Sequence, residues 1–463
     1  MKLSTAFTAS ALSVLVTTTA PVYATTLADA LIQAYQTNPA LRVGRSGLRA
    51  VDEGVRQAKG ALEPVVSAGA ATSRSDSSAG TINTTPSSNI FITASIPIYA
   101  GGTLLNSVDQ ARYDVLGGRQ SLIATEQAVL LNAVTAYMDV RRDQRNVQLG
   151  LNSVRVLSEE VRAASERFEV GEVTRTDVAQ AESRLAASES DLQTGRSNLK
   201  RSINFYITTI GSAPKDLRIP PTTPKLPATS EAAEAVAISR HPSILQQQFA
   251  VKAAEKGAAI ARGRLLPTVS ANASVVRSNN NSTGPTVNDK QTFSTIGLDV
   301  FQPIYQGGRL NSGQRQALAF LDQRKAELQL AGLQVRENVK STYAIWTASK
   351  ASIAARRKQV SAAKIAFEGA SEEAKLGART TLDVLNSEQD LLRAQNDLVA
   401  AIRNEYVSAY GVLAAMGLLT VDHLGLGIES YNPDVNYNTV SGTNLFGTER
   451  QKKMDKIMRL SGN

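Results

Sequence analysis

The side chains that most often do covalent or metal chemistry are scarce in this chain. Its 463 residues include no cysteine and only two histidines, His241 and His423. No metal-ligand spacing, nucleophile motif or phosphate-binding loop accompanies them. The composition therefore argues against an enzyme, and we expect no catalytic residue, metal site or cofactor.

Two aspartates stand in a motif that occurs twice, and they are the acidic residues with the clearest context. Asp177 ends a turn-like segment that begins at Gly171, and Asp383 ends a similar segment that begins at Gly377, 206 positions later. Glycine allows a left-handed helix cap, and an aspartate in the first turn of the next helix is favoured by the helix dipole. Each motif therefore predicts a tight turn between two helices, with Thr176 near one helix start.

These turns belong to a duplication that covers most of the chain. The segment Pro97–Gly102 returns as Pro303–Gly308, also with an offset of 206, whereas Pro64 returns as Pro267 with an offset of 203. One period of roughly 200 residues indicates two copies of one structural unit. We assign the copies to residues 25–219 and 231–419, a proline-rich linker to 220–230, and an equatorial or flexible tail to 420–463.

The first residues indicate export. Lys2 precedes an apolar stretch, and the Val22-Tyr23-Ala24 sequence is typical of a signal peptidase site, so residues 1–24 are predicted to be a cleaved signal peptide. The net charge of +9 comes from basic residues that are interspersed with acidic ones. Because no basic patch with interleaved aromatic residues is present, we expect no nucleic-acid partner.

Long helices dominate the pattern. A proline-free stretch follows Thr103, and Val147, Val154, Val161 and Phe168 recur at intervals of seven. Sustained sevens predict helices that pack along their length with a left-handed supercoil. We expect one long helical pair at about 102–211 and a second at about 307–417, with the helical segments 27–62 and 232–265 alongside.

Each copy also contains a stretch with a period of two, at about 62–100 and 265–305. Alternation of apolar and polar residues predicts a β-hairpin with one apolar face. In an exported protein such a face suits lipid, although two soluble hairpins packed on the helices would show the same pattern. Proline is expected to end the second strand of each hairpin. The predicted lipid-facing residues are Ile92, Ile96, Ile296, Leu298 and Val300.

Four strands cannot close a barrel in lipid, where open edges are not tolerated. Two copies of the chain would form eight strands filled by their own side chains, and three would form twelve strands around a lumen. A homotrimer is therefore the smallest arrangement that leaves a pore.

The duplicated Pro-Ile-Tyr-x-Gly-Gly strand ends and the two Gly-to-Asp turns resemble those of the TolC-like outer-membrane efflux proteins. The resemblance extends to about Leu419. It implies a mainly α protein with transmembrane β: a trimeric 12-stranded β-barrel, a long α-helical barrel that crosses the periplasm, and a mixed equatorial belt. It also implies a periplasmic adaptor and an inner-membrane transporter of the RND, ABC or MFS type as partners.

The resemblance further implies roles for the turn residues. Asp383 would point into the pore entrance and form a ring of carboxylates, but the family's second aspartate is replaced here by Asn386. Arg379 would link to Thr176 and Asp177 and hold the entrance shut. The tips around Gly171 and Gly377 would face the adaptor. The function implied is an exit duct; the alternative from the helices alone is a structural coiled-coil protein of the envelope.

Overall fold

The computed structural model describes residues 25–77, 83–220, 222–281 and 288–441. The predicted signal peptide, Pro221 of the linker, the tips of both hairpins and residues 442–463 of the tail lie outside the described residues.

The two copies have the same order of elements: two short helices, two strands and two long helices. The helices of the first copy are α1 (Leu27–Thr37), α2 (Pro39–Gly60), α3 (Thr103–Glu169) and α4 (Arg175–Ile210). Those of the second copy are α5 (Ser230–Arg240), α6 (Pro242–Gly263), α7 (Arg309–Lys375) and α8 (Thr381–Ala415). The strands are β1 (Val65–Ser77), β2 (Asn83–Ala100), β3 (Thr268–Asn281) and β4 (Asn288–Phe301). Two further helices, α9 (Val421–Leu424) and α10 (Pro433–Ser441), follow the second copy.

The long helices determine the dimensions of the molecule. Both α3 and α7 contain 67 residues, which corresponds to about 100 Å at ~1.5 Å per residue. The shorter helix that follows, α4 or α8, packs along part of each. In the part of the chain that the structure describes, no helix is both long and apolar enough to span a bilayer. The predicted mainly α, internally duplicated fold is confirmed.

The helical segments 27–62 and 232–265 are each divided into two helices. The first divides at Asn38, whose Oδ1 accepts a hydrogen bond from the Ala40 amide at 2.9 Å. The second divides at His241, whose Nδ1 accepts one from the Ser243 amide at 3.2 Å. A proline follows each of these residues and can begin a helix but not continue one. The two copies therefore use different side chains for the same cap.

The four strands form one antiparallel sheet in the order β1-β2-β3-β4. The register places Ile92 opposite both Ala68 and Val275, and Ile296 opposite Ala273. Directly opposed residues share a face of a sheet, so the apolar residues of both hairpins lie on one side. Thr93, Ser274 and Thr295 are aligned on the other side. Around these residues the sheet thus has one apolar and one polar face, and nearer the hairpin tips Phe91, Val276 and Phe293 lie on the polar side.

The prediction that proline ends the second strand is wrong in the first copy. Strand β2 continues through Pro97 to Ala100, with a bulge between Pro97 and Tyr99. The bulge leaves Ile98 without a partner on β3 and places Tyr99 opposite Val269, so Ile98 breaks the predicted alternation. A bulge accommodates a residue that lacks an amide donor. In the second copy β4 ends at Phe301, before Pro303.

The main core lies where the short helices cover α3. Tyr137 is fully buried there, and the one proton of its hydroxyl is shared between the Arg218 carbonyl at 2.6 Å and the Thr25 carbonyl at 2.9 Å. Burial raises the pKa of Tyr137, which keeps this donor protonated. Tyr406 holds the linker in the same way, through the Pro220 carbonyl at 2.6 Å. Buried tyrosines thus attach the start of the chain that the structure describes, the residues just before the linker and the first linker residue to the helices.

Only part of the predicted heptad seam is deeply buried. Phe168 is exposed, and Val147 and Val154 are half-buried. A neighbouring column of residues spaced by seven carries more of the packing; its buried members are Val129, Ala136, Asp143, Leu157 and Ala164. The sequence contains this column too, but the buried Asp143 and the small alanines conceal it.

The tail is described as far as Ser441 and packs on the helices. Helix α10 packs against α2, where Asn436 Nδ2 donates to Asp52 Oδ2 at 2.6 Å. Arg119 on α3 forms a 2.7 Å ion pair with Asp434. At the end of α10, the Lys59 ammonium donates to the Ser441 carbonyl at 2.9 Å. The tail is therefore attached to the first copy.

Candidate functional site

The candidate site is the pair of tips where α3 turns into α4 and α7 turns into α8. Gly171 and Gly377 occupy the left-handed region, with φ of 79° and 76°. A side chain at either position would meet nothing within 4 Å, so the backbone conformation rather than crowding requires glycine. Both tips are exposed at the same end of the molecule, as the repeated motif predicted.

A capping box starts the helix after each tip. The Asp177 amide lies 3.3 Å from Thr174 Oγ1, and Asp177 Oδ2 accepts from the Thr174 amide at 2.9 Å. Thr380 and Asp383 repeat this arrangement at 3.2 Å in both directions. The hydroxyl of the capping threonine, followed by its amide, lowers the pKa of both aspartates. Both aspartates are therefore ionised near neutral pH, and they complement the helix dipole.

Thr176 lies near the start of α4, as its position in the motif indicates, but it is not the cap of this helix. Thr174 caps α4, whereas Thr176 is exposed at the second position of that helix. Thr176 is therefore available on the tip surface but does not organise the turn.

Arg379 has a partner within its own hairpin. Its Nε lies 2.8 Å from Glu373 Oε2 at the end of α7, and both side chains are about half exposed. The predicted link from Arg379 to Thr176 and Asp177 joins neighbouring hairpins and stays a prediction. The Glu373 contact shows that Arg379 would have to exchange one exposed partner for another, and such pairs are worth about 0–1 kcal/mol each.

A cross-hairpin contact that the sequence did not indicate lies beside the predicted pore residues. Arg184 on α4 donates to Gln389 Oε1 at 2.8 Å and to Asn386 Oδ1 at 3.2 Å, both on α8. Asn386 therefore holds the two hairpins of one chain together. Arg184 is seven residues after Asp177, so it follows the heptad spacing, but a solvated surface arginine would have the same spacing.

The predicted lipid-facing residues lie at the opposite end of the molecule. Ile96 and Leu298 both lie opposite Ala271, and Val300 lies opposite Val269. Ile296 is 89% exposed, and Ile92, Leu298 and Val300 are also exposed. Their contact with lipid stays a prediction.

No ligand set for a metal is assembled in the ranges that the structure describes, 25–77, 83–220, 222–281 and 288–441. His241 is a helix cap, and burial lowers its pKa, which favours the neutral form that accepts the Ser243 amide. The histidine that sequence inspection singles out is thus structural.

Comparison with known proteins agrees with this geometry. The model of the outer membrane efflux protein family matches residues 30–205 and 235–418, one match in each copy. The chain is 36% identical to outer membrane efflux protein BepC of Brucella suis biovar 1 (strain 1330) over 415 residues, which cover 90% of each protein. It is 26% identical to outer membrane protein TolC of Escherichia coli (strain K12) over 433 residues, 86% of this chain and 84% of the relative.

The fold is also that of a solved channel. The Campylobacter jejuni CmeC outer membrane channel superposes with a TM-score of 0.76 at 15% identity, covering 90% of this chain and 89% of that one. The resemblance inferred from the repeated motifs is confirmed, and so is the location in the outer membrane. The chain belongs to the outer membrane efflux protein family.

Proposed function

We propose that three copies of this chain form a closed exit duct through the outer membrane and into the periplasm. The observation that carries the proposal is the four-stranded sheet with an exposed apolar face. Among the described residues, β1 and β4 each have one neighbouring strand, so each presents an unpaired edge. Lipid does not tolerate open edges, and twelve strands from three chains would close the sheet around a lumen.

The helices support the same assembly. Within one chain, α3 of the first copy packs against α6 and α8 of the second copy. The reverse contacts, from α7 to α2 and α4, have no comparable extent among the described residues. Apolar side chains of α7 such as Leu330, Leu333 and Ile345 are more than half exposed as a result. A head-to-tail ring supplies the missing contacts, because the second copy of one chain would meet the first copy of the next.

The tips are the proposed entrance. In the ring, three copies of Asp383 would form a carboxylate constriction with Asn386 one turn further, favouring cations. Arg379, Thr176 and Asp177 would link neighbouring hairpins and keep the entrance shut. The exposed tips at Gly171 and Gly377 suit a periplasmic adaptor, and an inner-membrane transporter of the RND, ABC or MFS type would supply the energy. The cargo would be small molecules or secreted proteins.

The test uses the detergent-extracted protein in planar bilayers. Asp383→Asn removes charge but leaves an oxygen that can accept the Thr380 hydrogen bonds, so the cap is retained. We expect a lower preference for cations and weaker block by divalent cations. Asp177→Asn is the matched control for ion selectivity, because it changes the same cap on the hairpin that the proposal places outside the ring. As a proposed gate residue it should change how often the channel opens, but not the cation selectivity of the open channel. Equal single-channel behaviour of the Asp383→Asn and unaltered channels would contradict the pore-ring assignment.

Fractionation separates the duct from the alternative of a structural coiled-coil protein. A trimer that requires detergent supports the duct. A soluble, heat-labile monomer without conductance would support the structural protein.

A further inference from the structure

Glu388 is a buried acid close to the proposed entrance. It lies on α8, five residues beyond Asp383, and only 8% of its surface is exposed. Leu385, three residues earlier, shares its face of α8 and packs with Leu157 of α3 and Ala181 of α4. This face of α8 therefore forms the contact between the two hairpins, and Glu388 is its acidic member.

Two serines from the other hairpin are the polar partners of Glu388. The buried Ser153 hydroxyl on α3 faces the Glu388 carboxyl group and favours its ionised form. The Ser188 hydroxyl on α4 in turn donates to Ser153 Oγ at 3.2 Å. Both serines are buried. Glu388 and the two serines thus bring polar groups of three helices together where the two hairpins meet.

The charged groups around Glu388 do not compensate a negative charge. On α3 the facing residues Ser153 and Leu157 are uncharged. On α4 the Arg184 guanidinium donates to the amide oxygens of Asn386 and Gln389 and not to the Glu388 carboxyl group. On α7 the nearest charged groups, by the register of the Arg356–Asp397 contact, are Lys364 and Glu368. They pair with each other at 3.6 Å and are exposed. On α8 itself, Asp390 is exposed and lies beside Arg393.

An ionised carboxylate in this place would keep one hydroxyl partner and little solvent, which is unfavourable without a counter-charge. The protonated acid is compatible with the same apolar surroundings. Consistent with this geometry, burial raises the pKa of Glu388 above its usual value of 4.5, and the Ser153 hydroxyl opposes the shift only in part.

We propose that Glu388 is a proton-controlled positioning residue for the entrance. In its acid form it holds α8, with Asp383 and Asn386, against the α3–α4 hairpin; in its ionised form it weakens that contact and favours separation of the hairpins. This inference rests on the proposed function, because it assigns a resting position to the proposed entrance.

The two copies differ at this point. Glu182 is the equivalent residue of the first copy, but the positions equivalent to Ser153 and Ser188 hold Gln359 and Ala394. The chain of two hydroxyl groups therefore exists only at the contact formed by Glu388. The proton-dependent contact is expected within each chain rather than between chains.

The direction of the pH effect follows from the raised pKa. The contact is strongest below pH 4.5, the usual value for a glutamate, and weakens as the pH rises toward the higher value of the closed state. Between these limits the equilibrium changes by up to about tenfold per pH unit and per chain. Asp383 and Asp177 have lowered pKa values and titrate below this range, so their effect is separable.

The experiment uses the absence of cysteine from the chain. Ala181→Cys introduces one thiol at a fully buried position of the hairpin contact. The rate of maleimide labelling of the full-length trimer is measured from pH 4.5 upward. The rate of a small free thiol at each pH corrects it for thiol ionisation. Channel conductance is recorded in parallel. We expect labelling to accelerate with pH, and Glu388→Gln to abolish this dependence.

Asp390→Asn is the control, since it makes the same chemical change at an exposed site two residues away, and it should retain the pH dependence. Ser153→Ala removes a hydroxyl group that favours the ionised form, so it should move the midpoint to higher pH, which a merely structural role would not do. This variant also serves if Glu388→Gln fails to assemble. Conducting channels whose corrected labelling is independent of pH, or unchanged in Glu388→Gln, would overturn the inference and leave the duct intact. Loss of all conductance by the unaltered protein would instead contradict the proposed function.

Discussion

The head-to-tail ring can be tested at a glycine that looks unconstrained in the single chain. At the junction of sheet and helices, a Cβ atom on Gly263 would lie 2.4 Å from the Gly101 carbonyl oxygen and 2.8 Å from Thr103 Cγ2. Within the same chain, Gly60 of the first repeat is equivalent to Gly263, and Gly307 of the second repeat is equivalent to Gly101. Neither Gly60 nor Gly307 has an atom within 4 Å of its Cβ position. In the ring, Gly307 of one chain would meet Gly60 of the next. We therefore predict that Gly60→Ala weakens the trimer.

The expected magnitude follows from the Gly263 contact. Alanine in place of glycine favours a helix by about 0.5–1 kcal/mol. A methyl group forced against a backbone carbonyl at this distance costs about 1–3 kcal/mol, because backbone atoms cannot rotate away as a side chain can. The net loss is about 0–2.5 kcal/mol at each of the three junctions. Gly47→Ala is the reference, since Gly47 lies within α2 with nothing within 4 Å of its Cβ position and its counterpart is already Ala250.

The assay is the temperature at which the detergent-solubilised trimer dissociates, read on gels and by calorimetry. Gly47→Ala should equal or exceed the unaltered protein, and Gly60→Ala should dissociate at a lower temperature. If both variants dissociate together, the first copy of one chain does not meet the second copy of the next in the way proposed, and the ring arrangement is refuted.

Two further predictions concern local contacts. Thr380→Ala removes the cap of α8 and should destabilise that helix start by about 1 kcal/mol. Hydrogen exchange should become faster at the second tip, while exchange at the first tip, which Thr174 caps, stays unchanged. A variant in which exchange changes equally at both tips would contradict the assignment of this cap. Burial raises the pKa of Asp52. The hydrogen bond from Asn436 and the charge of Arg119 oppose this shift, and the charges of Glu53 and Asp434 add to it. Docking of α10 should therefore be strongest below pH 3.8, the usual pKa of an aspartate, and weaken as the pH rises. A thiol introduced by Val440→Cys, at a fully buried position, should label faster as the pH rises after correction for thiol ionisation, and Asp52→Asn should remove this dependence; a dependence that persists in Asp52→Asn would assign it to another group.

Local patterns in the chain predicted much of the fold because the signals that form helices and strands act over short distances. The seven-residue spacing indicated α3 and α7, and the alternation around Ile92 and Ile296 indicated the hairpins. The departures have physical causes that short patterns do not contain. Pro97 stays in β2 because a bulge removes the need for its amide, and this depends on where β3 lies.

The entrance shows the same division between local and distant information. The capping boxes of Asp177 and Asp383 span three residues and can be found from sequence alone. The contact of Arg184 with Asn386 and the burial of Glu388 against Ser153 join residues from different copies, more than 200 positions apart. Solvated arginine and glutamate residues on a helix surface would have the same sequence spacing as Arg184 and Glu388. Only the packing of the helices shows that these two residues make contacts between the hairpins.

The sequence by itself determined the duplication, the lengths of the helices, the family and the tips, because each depends on neighbours in the chain. Only the tertiary structure decided which of two equivalent residues acquires a role. Glu182 and Glu388 occupy equivalent positions, as do Gly60 and Gly263, yet one member of each pair is free in a single chain and the other is enclosed. The reason is that α3 of the first repeat packs against helices of the second repeat, whereas α7 makes no comparable contact with the first repeat of the same chain among the described residues. This difference arises from how the two repeats pack and is not contained in the sequence of either one.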